Sequence, residues 1–212
     1  FHNNLLGMSH LALKDYDSSM NFFLKCIDIK EINNDDTNLD ILFINIAIVY
    51  NACEDIQNSL KFYLKAHSYN NNNLKAIENI IDIYFFENDL ISTKEYINKA
   101  LLIDKNNEVA LHKLGLTLFK ENEVDLAIKN LKYLIKKSTN TTIFKYDLAN
   151  IFLIKEQYKD SEKLYLDIIK VKPEFSECYC NLGVIYQKIG KLDKAKKFFS
   201  EAVNLEPDNN HF

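Results

Sequence analysis

The sequence predicts an all-α solenoid of stacked helical pairs. Three observations predict it. A pattern of small and apolar residues recurs at a fixed step: Asp40, Leu74, Glu108, Thr142 and Ser176 open successive copies 34 residues apart. Within each copy the apolar residues fall on two separate faces at helical spacing. Gly and Pro number only 4 and 2 in 212 residues, far below average usage of roughly 7% and 5%. Hairpins and tight turns need those residues, so their scarcity favours helices.

The first unit covers about 1–34. Leu6, Gly7 and His10 mark a first helix starting near residue 3; Ser19, Phe23 and Cys26 mark a second starting near 16. The polar stretch EINNDDTNL, 31–39, has no apolar period and reads as a loop insertion before the next unit. Unit two, 40–73, has Phe43, Ile46, Ala47 and Tyr50 on a helix from near 40, then Ser59, Tyr63 and Ala66 from near 56. Unit three, 74–107, has Ile77, Ile80 and Tyr84, then Thr93, Ile97 and Ala100 from near 90. Unit four, 108–141, has Leu111, Leu114, Gly115 and Leu118, then Ala127 and Leu131 from near 124. Unit five, 142–175, has Leu148, Ala149 and Phe152, then Ser161 and Tyr165 from near 158, with Pro173 beyond. Unit six, 176–209, has Tyr179, Leu182, Gly183 and Tyr186, then Ala195, Phe199 and Ala202 from near 192, with Pro207 as its stop.

The turns inside the units carry Asp15, Glu54-Asp55, Asn88-Asp89, Asn122-Glu123, Glu156-Gln157 and Gly190. Asp and Asn there suit the start of a following helix. One helical pair cannot bury its apolar face alone, so the pairs must stack. Ile81, Leu134 and Ile168 stand where other units have small residues. Slightly different packing is therefore expected between units three and five.

Residues 176–209 resemble a tetratricopeptide repeat (TPR) across their length, through Tyr179, Leu182, Gly183, Tyr186, Gly190, Ala195, Phe199, Ala202 and Pro207. The five earlier copies keep the same register. The resemblance implies a right-handed superhelical solenoid of six TPR helix-turn-helix units in a single array over 1–212, with the first helices lining a concave groove. The segment Lys172 to Tyr186 also looks like repeats from the TPR arm of the O-GlcNAc and O-fucose transferases. That likeness implies a substrate-recruiting arm whose catalytic domain lies outside these residues.

Composition narrows the function. The net charge is −4, and all 26 basic residues are Lys. Nucleic-acid footprints are normally basic, and Arg supplies the planar fork that reads guanine and phosphate, so nucleic acid is not expected as a partner. No apolar run reaches the roughly 20 residues of a membrane span. Cys26, Cys53, Cys178 and Cys180 contain no CxxC, and reduced thiols in a cytoplasmic, reducing compartment are expected. The chain starts at Phe1, so a removed leader stays open. His2, His10, His67, His112 and His211 show no paired ligand spacing, and no phosphate-binding or nucleophile motif occurs. No metal, cofactor or catalytic residue is expected.

A groove that binds a protein or peptide is the remaining expectation. One aligned first-helix position holds Asn45, Asn79, Lys113, Asp147 and Asn181 in units two to six. In the transferase arms, Asn at this position binds the backbone of an extended peptide. An amide both donates and accepts, so it can bond any peptide unit. Asn45, Asn79, Asn150 and Asn181 are expected to contact backbone, Lys75 and Lys113 to meet acidic groups, and Phe85, Phe119 and Tyr146 to give apolar contact. A C-terminal carboxylate clamp, as in co-chaperones of the family, needs paired Lys and Asn over three consecutive units. No three units here supply them; Tyr146 and Asn150 have the spacing without the Lys.

The expected function is a non-catalytic scaffold. The alternatives are the transferase arm and a structural subunit of a multiprotein assembly. Phe199, Val203 and Leu205 are expected to face water at the end of unit six, where a solvating cap would be needed. The chain therefore reads as a slice of a longer array, with His211 and Phe212 opening another unit, or as one that self-associates through its terminal repeats.

Overall fold

The computed structural model describes residues 2–33 and 35–207. Phe1, Asn34, His211 and Phe212 lie outside the described residues, and with them the expectation of a further unit. Among the described residues there are twelve α-helices and no strand. They are α1 His2–Ala12, α2 Tyr16–Ile32, α3 Leu39–Ala52, α4 Ile56–Tyr69, α5 Leu74–Phe86 and α6 Leu90–Ile103. Then come α7 Glu108–Lys120, α8 Val124–Lys137, α9 Thr142–Ile154, α10 Tyr158–Val171, α11 Ser176–Lys188 and α12 Leu192–Leu205. The chain divides into two compact units, residues 1–113 and 114–212, and the division falls within α7.

Each helical pair is joined by the same three-way turn. The second residue after the first helix is left-handed in all six: Lys14, Glu54, Asn88, Asn122, Glu156 and Gly190, with φ from 58° to 76°. The next residue's N–H then reaches back to the last turn of the first helix. Examples are Asp55 N to Tyr50 O at 2.9 Å and Lys191 N to Tyr186 O at 2.8 Å. This closes a Schellman-type C-cap. The same next residue caps the second helix. Asp15, Asp55 and Asp89 accept from the backbone N–H of Ser18, Asn58 and Ser92. Glu123, Gln157 and Lys191 make no such side-chain bond.

In the first unit, 1–113, α1 packs on α2, α3 on α4 and α5 on α6, with α2 on α3 and α4 on α5 between them. In the second, α9 packs on α10 and α11 on α12, with α8 on α9 and α10 on α11. In five of the six helical pairs a small residue on the first helix corresponds to a large one on the second. The corresponding positions are Gly7 with Phe23, Ala47 with Tyr63, Ile81 with Ile97, Gly115 with Leu131, Ala149 with Tyr165 and Gly183 with Phe199. The Ile81 departure is thus matched by a smaller partner, and both isoleucines are fully buried. Leu134 and Ile168 are buried as well. Beside these pairs, Ser19, Ser59 and Ser161 donate to the carbonyls of Gly7, Ala47 and Ala149 at 2.8–3.0 Å. These bonds tie α2, α4 and α10 to the first helices before them.

The expected loop insertion is shorter than 31–39. The second helix α2 continues through Glu31 and Ile32, 17 residues against 14 for the other second helices. Asn33 ends it by donating its side-chain amide to Ile29 O at 2.8 Å. Lys30 then holds the loop through Asp35 at 2.6 Å, and Asp35 accepts from the Thr37 N–H and hydroxyl. Those bonds hold the Asp35 carboxyl well below the usual range, Lys30 contributing most. Asn3, Ile29, Lys30, Asn38 and Leu42 help line a cleft of about 420 Å³ beside this loop.

Candidate functional site

Five of the nine expected contact residues lie in the first unit: Asn45, Lys75, Asn79, Phe85 and Lys113. Asn45, on α3, is only 5% exposed, and its amide donates to Asn4 Oδ1 at 3.0 Å. The apolar neighbours Ile44 and Ile46 are buried around it. Asn45 is a link between α1 and α3 and does not present its amide to solvent, which corrects the expectation for that residue. Asn79 is half-buried and turns its amide onto the Lys75 carbonyl one turn back, at 2.7 Å. Lys75 itself is exposed.

Lys113 and Phe85 do come together. The Lys113 ammonium lies 4.9 Å from the Phe85 ring centroid and 2.8 Å from the Asp82 carboxylate. The aromatic face and the acid both favour the cation. Lys113 thus has an acidic partner within the chain, and a second acid from elsewhere would share it.

The second unit holds Phe119, Tyr146, Asn150 and Asn181. Phe119 is half-buried on α7. The other three form one cluster across α9, α10 and α11. Asn181 donates to Asn150 Oδ1 at 3.1 Å and to the Tyr165 hydroxyl at 3.1 Å. The Tyr165 hydroxyl donates to the same Asn150 oxygen at 2.5 Å. The Tyr146 ring stacks on Phe175, centroids 5.0 Å apart at 30°. Tyr165 is fully buried, and Ala149, Cys178, Leu182 and Ile185 form the apolar cluster around it. Burial pushes the Tyr165 and Tyr146 phenols up, so both remain protonated donors at neutral pH.

The donor count defines what this cluster offers. Asn181 points one shared N–H at two acceptors only 2.5 Å apart, Asn150 Oδ1 and the Tyr165 hydroxyl, and keeps its Oδ1 as an acceptor. Asn150 commits its oxygen twice; one hydrogen of its NH₂ serves the Tyr146 phenol and the other is left as a donor. A half-buried donor and acceptor therefore sit on adjacent first helices beside a stacked aromatic pair.

Sequence reading missed Tyr165 and Phe175 as members of these sites. One signal could have found part of it. Asn150–Asn181 and Asp82–Lys113 are both 31 apart (181 − 150 and 113 − 82), one repeat less three residues. That step carries a side chain to its neighbour on the preceding first helix. Among the described residues no group of three His, Cys, Asp or Glu side chains could hold a metal ion. No helix among them is long and apolar enough to cross a membrane.

These pairs of helices, their shared turn and their small-to-large contacts define a helical repeat protein. The tetratricopeptide repeat family model matches residues 3–33 and 176–209. The chain is a tetratricopeptide-repeat protein with an all-α repeat fold. A relative is the UDP-N-acetylglucosamine–peptide N-acetylglucosaminyltransferase of Giardia intestinalis. It is 30% identical over 112 residues, covering 53% of this chain and 8% of that one. Another is anaphase-promoting complex subunit 3 of Dictyostelium discoideum, 30% identical over 115 residues, 54% of this chain and 12% of that one. The chain thus spans only a small part of the length of both relatives. The crystal structure of a tetratricopeptide repeat protein from Parabacteroides merdae superposes with a TM-score of 0.78 at 16% identity, over 96% of this chain and 78% of that one.

Proposed function

We propose that the chain is a non-catalytic scaffold that holds an extended segment of a partner protein along its first helices. One observation carries the reading: the Asn150–Asn181–Tyr165 cluster leaves one amide donor and one amide acceptor side by side. A residue of an extended chain presents its own N–H and C=O on one side, so its C=O takes the remaining Asn150 N–H and its N–H takes Asn181 Oδ1. Tyr146 and Phe175 flank the backbone and receive an apolar side chain. In the first unit Asn79, Lys75, Phe85 and Lys113 serve a second stretch of partner, with Lys113 recruiting an acid beside Asp82. Phe119 adds apolar contact in the second unit.

The test is capture of partners by the wild-type chain and by the Asn150→Ala/Asn181→Ala variant, with a melting curve for each. The reading expects capture to fall at least tenfold while the melting temperature moves by only a few degrees. Equal capture by the two proteins would move the binding site elsewhere.

The likeness to the Giardia transferase supports a second reading, in which these repeats are the recruiting arm of a glycosyltransferase. It requires that captured partners carry N-acetylglucosamine on Ser or Thr, and unmodified partners would remove it. The likeness to an anaphase-promoting complex subunit supports a third, a structural subunit of a multiprotein assembly. For that reading the apolar side of α12 is the surface to watch. Leu192 and Val203 are 66% and 44% exposed there. Self-association through terminal repeats would bury them, and a solution mass independent of concentration would argue against it.

A further inference from the structure

Three buried side-chain atoms lack a hydrogen-bond partner among the described residues, and two of them lie in repeat four: Thr117 Oγ1 and Asn130 Oδ1. The third is His67 Nδ1, whose ring stands edge-on to Tyr96. Both repeat-four residues break the repeat pattern. One and two repeats away, Thr117 corresponds to Val49, Ile83, Ile151 and Ile185, all buried aliphatics. Asn130 corresponds to Phe62, Tyr96, Leu164 and Phe198. The Thr117 side chain is fully buried, so its hydroxyl has traded water for nothing. Asn130 places its oxygen over Gly115, 2.7 Å from where a Cβ would stand, in the space that Phe23 fills over Gly7.

An unpaired buried polar group favours any state in which water reaches it. Two such groups on facing helices favour the same local opening. We infer that residues 114–120 of α7 and helix α8 form the local opening point of the array. In the open state water hydrates Thr117 Oγ1 and Asn130 Oδ1, and the buried side chains of Leu131 and Leu134 become accessible. Pairs with apolar residues at both positions, such as α9 with α10, stay closed. Repeat four is therefore where proteases and holding chaperones first find apolar chain.

Native-state hydrogen exchange on the 212-residue chain tests this, with Thr117→Val, Thr117→Ser and Asn130→Leu as variants. Wild-type amides in 114–120 and α8 should exchange at least about tenfold faster than those of α9 and α10. Thr117→Val keeps the shape and removes the orphan hydroxyl, so it should slow exchange in 114–120 and α8 about tenfold. Asn130→Leu should act in the same direction. Thr117→Ser keeps the hydroxyl and should not slow exchange. Equal protection of α8 and α10 in the wild type would overturn the inference. So would a Thr117→Val variant that exchanges at the wild-type rate or faster, because the hydroxyl would then have a partner.

Discussion

The ring of Phe23 occupies the place where a side chain on Gly7 would begin: a Cβ at residue 7 would lie 2.5 Å from Phe23 Cε1. Phe23 is fully buried and cannot move aside. Gly183 repeats the relationship, 2.6 Å from Phe199 Cδ1, but Phe199 is only half-buried. The close approach of two helices thus depends on a missing methyl group, and the aromatic ring on the partner helix depends on that approach.

Gly7→Ala gains helix propensity of about 0.5–1 kcal/mol but forces the Phe23 ring out of place, and a net loss of about 1–2 kcal/mol is expected. Gly183→Ala should cost less, because Phe199 can swing toward solvent. Phe23→Leu in the Gly7→Ala background should recover part of the loss, as Leu131 opposite Gly115 suggests. Urea unfolding of the singles and the double gives the coupling. Additive effects would mean that the ring and the glycine do not share this space.

The shared turn makes a separate prediction. Lys14, Glu54 and Glu156 hold left-handed backbone conformations at φ near 60°, which costs an L-residue roughly 1–2 kcal/mol. Glu156→Gly should stabilise by about 0.5 kcal/mol after the greater unfolded-state entropy of glycine is counted. Gly190→Ala should destabilise by about 1 kcal/mol through backbone alone, since a Cβ there meets nothing within 4 Å. Melting temperatures that move the opposite way would contradict the turn geometry.

Acid should loosen the second repeat through Asp40. The residue is 8% exposed, and its carboxylate accepts from the Asn70 and Asn73 amides, both at 2.8 Å. Burial pushes this carboxyl up, but the bonds from Asn73 and Asn70 outweigh it and hold it below the ordinary aspartate value. A depressed folded pKa gives stability that is present above the unfolded value and lost as pH falls through the folded one. The expected loss therefore begins below about pH 4. Asp40→Ala should cost about 1–3 kcal/mol at pH 7 and should show a shallower fall of melting temperature between about pH 4 and pH 2. Parallel acid limbs for the two proteins would assign the acid sensitivity elsewhere.

Helix positions were legible because two signals agree. The 34-residue step fixes the register, and Asp15, Asp55 and Asp89 mark where second helices begin, so expected starts fall within a residue of those observed. The left-handed turn leaves a compositional signal at Gly190, Asn88 and Asn122, but none at Lys14, Glu54 and Glu156, since a Lys or Glu in that conformation leaves no trace. The length of α2 was misjudged because Glu31 and Ile32 continue a helix without extending its apolar stripe. The binding residues were partly legible. The aligned asparagines bond to residues outside the aligned position, so what each amide meets depends on residues 4, 31 or 41 away. Asn45 meets Asn4 and disappears inside, whereas Asn181 meets Asn150 and stays half-exposed.

The central claim is that first helices of repeats five and six hold an extended segment of a partner. Photo-crosslinking tests it most directly, with p-benzoylphenylalanine in place of Tyr146 on α9 or of Lys163, an exposed residue on second helix α10. Crosslinks to partner proteins should form from position 146, fall when Asn150 and Asn181 are both alanine, and be weak from position 163. Crosslinks that form mainly from position 163, or that survive both alanine substitutions at position 146, would contradict it.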